Sequence, residues 1–122
     1  MPEASRPLVA CLCAEWCGSC REYRATFAAL AAQFQGAAEF AWVDVEDDAD
    51  ALGDPDIENF PTLLITDAGG ARFLGPVTPQ AQTAERLIRG ALAGELALAP
   101  DHGLGDRVRT LLAERGDPAP SE

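Results

Sequence analysis

Four cysteines, Cys11, Cys13, Cys17 and Cys20, fall within ten residues at the point where an unbroken apolar run gives way to an amphipathic one. Leu8 to Ala14 is apolar and follows Pro7, which predicts a strand buried on both faces of a parallel or mixed sheet. After Cys20, Tyr23, Phe27, Leu30 and Phe34 recur at steps of four, three and four, laying one apolar stripe along a helix that stops near Gly36. The junction itself is Trp16-Cys17-Gly18-Ser19-Cys20. Strand, turn, cysteine pair and helix in direct succession constrain the fold more than any other feature.

The pair has a physical logic at that junction. Helix-terminal N–H groups and the positive end of the helix dipole stabilise the Cys17 thiolate, which is the nucleophilic form. Cys20, one turn in, is placed to reach Cys17 and resolve a mixed disulfide. Four thiolates in Cys11-x-Cys13-x3-Cys17-x2-Cys20 would also suffice for zinc or an iron–sulfur cluster. Against that, Cys11 and Cys13 alternate onto one face of a buried strand, and no second Cys-x2-Cys follows. They are read as core residues, with a redox or regulatory role for one of them as the alternative. No metal or other cofactor is expected beyond a redox-active Cys17–Cys20 disulfide. The clustering also differs from the dispersed framework of stapled secreted domains.

The remaining chain completes an α/β plan. Glu39 to Val45 reads as a second strand, and Asp48 or Asp50 as the cap of a short helix through Leu52 that Gly53-Asp54-Pro55 ends. Thr62–Thr66 and Ala71–Leu74 read as a hairpin around Asp67-Ala68-Gly69-Gly70. Thr78-Pro79 signals the start of a helix over about residues 79–93, and Leu104, Val108, Leu111 and Leu112 predict a further short helix. The expected organisation is a lead over 1–7, a domain over 8–94, an extension with a helix over 95–115 and a flexible tail over 116–122.

Charge narrows the partners. Twenty acidic residues against nine basic ones, all Arg, give a net charge of −11, which argues against nucleic acid because that attraction needs cations to neutralise phosphates. No apolar run is long enough to span a bilayer, and the first residues lack a leader pattern, so a cytoplasmic protein without membrane contact is expected. His102, in a Pro-Asp-His-Gly loop, is read as a surface residue.

Ala14-Glu15-Trp16-Cys17-Gly18-Ser19-Cys20-Arg21 resembles the active-site segment of the thioredoxin family, and Phe60-Pro61-Thr62-Leu63-Leu64 resembles the family's segment in which a cis-proline faces the cysteines. Val43-Asp44-Val45-Glu46 is similar to the family's acidic-ended strand, and Gly75 to the glycine bordering the substrate groove. The resemblance implies a three-layer α/β/α fold around a mixed sheet of about four strands. It implies a thiol–disulfide oxidoreductase that reduces protein disulfides, with Cys17 attacking and Cys20 resolving. Trp16, Phe60, Pro61 and Gly75 would contact the substrate, and Gly18, Ser19, Cys11 and Glu15 would modulate the pair. The implied partners are protein disulfides and an upstream protein electron donor, with the chain a monomer or weak dimer. The alternative is a binding or scaffolding module on the same fold with little exchange activity.

Three departures accompany the likeness. Only seven residues precede Leu8, where the family usually has a further strand and helix, so a sheet edge and a helix face need cover. The segment from Leu104 to Leu112 is expected to supply part of it. The family's buried Asp below the cysteines, with its Lys partner, corresponds here to Cys11 and Trp42. Proton removal from Cys20 would then fall to water or to a carboxylate such as Glu15. Ser19 stands in place of the family's usual Pro, restoring an N–H that can point at Cys17.

Overall fold

Strand β1 (Leu8–Cys13) is buried along its whole length, with no residue more than 1% exposed, and its two neighbours explain why. It pairs in parallel with β2 (Glu39–Asp44) on one side and antiparallel with β3 (Thr62–Asp67) on the other. Antiparallel β4 (Gly70–Pro76) completes a mixed sheet in the order β2-β1-β3-β4. The computed structural model describes residues 6–14, 18–53, 57, 61–78 and 80–115.

Alternation in β1 divides the core. Val9, Cys11 and Cys13 face a layer made by α1 (Gly18–Gln33) and α3 (Ala81–Leu92), together with Leu63 and Ile65. The stripe expected on α1 is the one buried: Tyr23, Phe27, Leu30 and Phe34 are all 6% exposed or less. Gly36, with φ 87°, takes the left-handed conformation that ends the helical stretch. Leu8, Ala10 and Leu12 face the opposite layer, where Leu64, Leu52 of α2 (Ala49–Leu52) and α4 (Leu104–Arg115) pack. Leu104, Val108 and Leu111 are buried there, so the C-terminal helix does cover part of the sheet face. Among the described residues no helix is long and apolar enough to cross a membrane.

Local corrections concern caps and ends. Asp48 occupies the N-cap position of α2 but makes no side-chain capping bond; Asp44 instead accepts from the N–H groups of Glu46 and Asp47 at 2.9 and 3.0 Å. Helix α3 starts at Ala81, after the expected Thr78-Pro79, with Gln80 extended at its N-cap position; the Thr78 hydroxyl is engaged with that of Thr83 at 2.6 Å. Within α3 the buried residues are Ala84 and Ile88, while Ala81 and Leu92 at its two ends are exposed. Strand β4 runs to Pro76, past the expected Leu74, so Gly75 lies within the sheet opposite Leu63. Asp101 caps α4, its carboxylate accepting from Gly103 and Gly105 N–H at 3.2 and 2.8 Å. Its neighbour His102 is exposed, as expected, with φ 53°.

Candidate active site

The candidate site lies where the C-terminal end of β1 meets the first turn of α1 and the start of β3. Helix α1 begins at Gly18, directly after Cys17 in sequence, as the pair's proposed chemistry requires. Gly18 is exposed, and a Cβ there would meet only the Arg21 guanidinium, at 3.9 Å. Ser19 belongs to the same first turn. Cys20 points down into the core and is fully buried. Glu15, Trp16, Cys17 and Phe60 lie outside the described residues, and so does the Phe60–Pro61 peptide bond.

Pro61 is buried just before β3, and its carbonyl accepts from the Val77 N–H at 3.0 Å, which ties it to the end of β4. Thr62 pairs with Leu12 on one side and with Pro76 on the other. The proline therefore sits at the same end of the sheet as the cysteines. Gly75 is partly exposed one pair further in, where an added Cβ would lie 3.4 Å from the Phe73 ring.

Below Cys20 the arrangement differs from the expected one. Cys20 forms a disulfide with Cys13, the two Cα atoms lying 5.8 Å apart, so the bond present is not one to Cys17. Cys13 is buried as expected, but it is more than a core filler. The reason is geometric: the last residue of β1 faces α1, and the first turn of that helix aims Cys20 back at the sheet. Spacing had already placed Cys11 and Cys13 on one face. What it lacked was the separation between that face and the helix.

Among the described residues Cys11 is the free cysteine, fully buried, with Sγ 3.7 Å from that of Cys13. Burial pushes its thiol up to about 12, against the opposing pull of the Arg24 charge. The register sets Cys11 beside Trp42, the two positions that the family resemblance matched to its Asp and Lys, so no carboxylate–lysine pair stands there. Trp42 packs edge-on against Phe27 at 5.9 Å, and the Arg24 guanidinium lies 4.8 Å from its ring centre. Tyr23, also fully buried, has a hydroxyl with no hydrogen-bond partner among the described residues. Its ionisation is pushed up to about 12, first by burial and then by Cys11.

A cleft of about 520 Å³ opens beside Cys20, bounded by Arg21, Arg24, Trp42, Asp44 and Asp47. Sequence reasoning did not find it, because it forms only when α1 and the end of β2 are brought together. Among the described residues, no group of three or more His, Cys, Asp and Glu side chains is arranged to hold a metal ion.

The thioredoxin family profile matches residues 2–88. No curated protein matches the chain by sequence. Among solved structures, thioredoxin from Fasciola hepatica superposes with a TM-score of 0.62 at 26% identity, covering 70% of this chain and 80% of that one. Thioredoxin from Trypanosoma brucei brucei gives 0.63 at 20% identity, with coverage of 75% and 80%. The germline-specific thioredoxin Deadhead from Drosophila melanogaster gives 0.62 at 18% identity, with coverage of 70% and 80%.

Proposed function

This chain belongs to the thioredoxin family, and from that premise we propose that it is a thiol–disulfide oxidoreductase that reduces protein disulfides through Cys17 and Cys20. The observation that carries the reading is Cys20 itself: a buried sulfur in the first turn of α1, already held within bonding distance of another cysteine. A sulfur so placed is shielded from outside disulfides and reacts with a partner on its own chain.

In the proposed reaction the Cys17 thiolate attacks one sulfur of a substrate disulfide and expels the other as a thiolate. Cys20, deprotonated, then attacks the Cys17 sulfur and expels the second substrate thiolate, leaving a Cys17–Cys20 disulfide. Two electrons pass from the cysteine pair to the substrate, and an upstream protein donor restores them. Trp16, Phe60, Pro61 and Gly75 form the docking surface, where an extended peptide pairs with backbone beside Pro61. With Cys11 below the pair in place of a carboxylate, the Cys20 proton leaves through water or Glu15, and the adjacent cleft lined by Asp44 and Asp47 offers a path. Reduction is the direction that suits the cytoplasm, where thiols are kept reduced, and cytoplasmic action is part of the proposal.

Reduction of insulin disulfides tests the reading. Wild-type protein should reduce insulin, and Cys17→Ser should show only the background rate. Equal rates in the two proteins would sink the assignment of Cys17. No activity in either would favour a binding module on the same fold.

A further inference from the structure

We propose that Cys13 is a second exchange partner of Cys20, so that the oxidised protein interconverts between a Cys17–Cys20 disulfide and a Cys13–Cys20 disulfide in the core. The inference rests on the exchange reading above and extends it to a residue that reading leaves idle. Its basis is the bond itself: Cys13 and Cys20 are joined, both buried, at a Cα separation of 5.8 Å that suits a disulfide without movement of either element. Because Cys20 is also the expected partner of Cys17, one sulfur serves two bonds, and only one can exist at a time.

The conversion is an isoelectronic exchange. Cys13 loses its proton, and its thiolate attacks the Cys20 sulfur of the Cys17–Cys20 disulfide. The Cys17–Cys20 bond breaks as the Cys13–Cys20 bond forms, Cys17 departs as a thiolate, and one proton is taken up there if it is protonated. No oxidant or reductant enters. In the reverse step Cys17 attacks Cys20 and Cys13 leaves.

Cys11 is the positioning residue for that departure. Since Cys13 carries no proton in the disulfide, the 3.7 Å contact between the two sulfurs has Cys11 as its S–H donor. The same donor stays in place for the Cys13 thiolate, and burial keeps Cys11 protonated to supply it. The consequence is functional. A chain oxidised in the Cys13–Cys20 form still carries Cys17 as a free thiol, so it can capture a second disulfide as a mixed disulfide that Cys20 is not free to resolve.

Endoproteinase Glu-C cleaves after Glu3, Glu15 and Glu22, which places Cys11 and Cys13 on one peptide and Cys17 and Cys20 on another. Fully reduced protein is given excess insulin, quenched with acid at intervals, alkylated, digested and analysed by mass spectrometry. Cys17–Cys20 appears as a loop within one peptide, and Cys13–Cys20 as a cross-link between two, with Cys17 alkylated. The supporting result is a cross-link that forms during turnover, disappears on reduction, is lost in Cys13→Ala, and fails to form in Cys17→Ser given the same insulin. Its rate of formation should fall several-fold in Cys11→Ala and recover in Cys11→Ser; equal rates in all three proteins would strike Cys11 from the step.

A loop alone at every time point overturns the inference and leaves the exchange reading standing. So does a cross-link that survives reduction and persists unchanged through turnover, which would make the bond a static staple. Formation of the cross-link in Cys17→Ser would remove Cys17 from the route. Failure of wild-type protein to reduce insulin brings down the exchange reading itself, whatever the peptides show.

Discussion

The two faces of the sheet are built from the same strands and differ in kind. On the side of α1 and α3, β1 contributes Val9, Cys11 and Cys13 to a layer in which Cys20 and the rings of Tyr23, Phe27, Phe34 and Phe40 pack with aliphatic residues such as Leu30, Ile65 and Ile88. On the side of α2 and α4, it contributes Leu8, Ala10 and Leu12 to a buried layer that is entirely aliphatic, with Leu64, Leu104, Val108 and Leu111. A two-residue period thus separates reactive chemistry from plain packing within one six-residue strand. The aliphatic layer can be weakened without touching a sulfur, whereas the other carries Cys11, Cys13 and Cys20 together.

The strongest way to break that separation is Leu64→Ala. Leu64 is fully buried in the aliphatic layer, and removing its side chain should cost about 2–5 kcal/mol in urea unfolding, through lost burial and the cavity left behind. Insulin reduction per folded molecule should stay at the wild-type rate. A fall in that rate would mean the two layers are mechanically coupled.

Next in size is an alkaline effect confined to the sulfur side. The folded-state value for Cys11 stands at about 12 against an ordinary 9.0, so the thiol is favoured by folding. Its contribution is complete below pH 9 and is lost as pH rises from 9 through 12, because the unfolded chain then releases a proton that the folded chain retains; the span corresponds to about 4 kcal/mol. Unfolding free energy measured across that window should fall more steeply for wild type than for Cys11→Ala. Parallel curves would show that Cys11 is not held as a thiol by burial.

The same contrast explains what could be read without coordinates. Periodicity alone identifies the stripe Tyr23, Phe27, Leu30 and Phe34 and the stripe Leu104, Val108 and Leu111, since a helix face is a local property. It also puts Cys11 and Cys13 on one face, and the family resemblance matches Cys11 and Trp42 to a paired Asp and Lys, which the strand register then sets side by side. The partner of Cys20 was not legible, because the choice between Cys13 and Cys17 depends on how closely α1 approaches the end of β1. Helix starts were legible only in part. Asp48 stands at the N-cap of α2 as its position suggested, though without a side-chain capping bond, whereas α3 starts at Ala81, later than Thr78-Pro79 suggested. Asp101, capping α4, is not signalled by the apolar periodicity because two residues, His102 and Gly103, separate it from the first apolar position of that helix.

Tyr23→Phe sharpens the contrast at smaller cost. The Tyr23 hydroxyl is a buried polar group in the sulfur layer without a hydrogen-bond partner among the described residues, and such a group costs about 1–3 kcal/mol of stability. Replacing it with Phe keeps the ring against Phe27, 6.4 Å away, and should raise unfolding free energy by about 1 kcal/mol. A loss of stability would show instead that the hydroxyl has a partner in solution, water or a neighbouring thiol.

The smallest effect lies at the rim of the sulfur layer. Arg24 is exposed, but its guanidinium covers the half-buried Trp42 ring at 4.8 Å, and a contact of that kind is worth about 0.5–1 kcal/mol. Arg24→Gln should therefore lower unfolding free energy only slightly. The informative readout is the thiol: the Arg24 charge favours the Cys11 thiolate, so its removal should move the alkaline titration of Cys11 upward, measured by thiolate absorbance near 240 nm. An unmoved titration alongside the small stability loss would mean that the cation acts on the indole alone, and that the sulfur cluster is insulated from the rim as fully as from the aliphatic face.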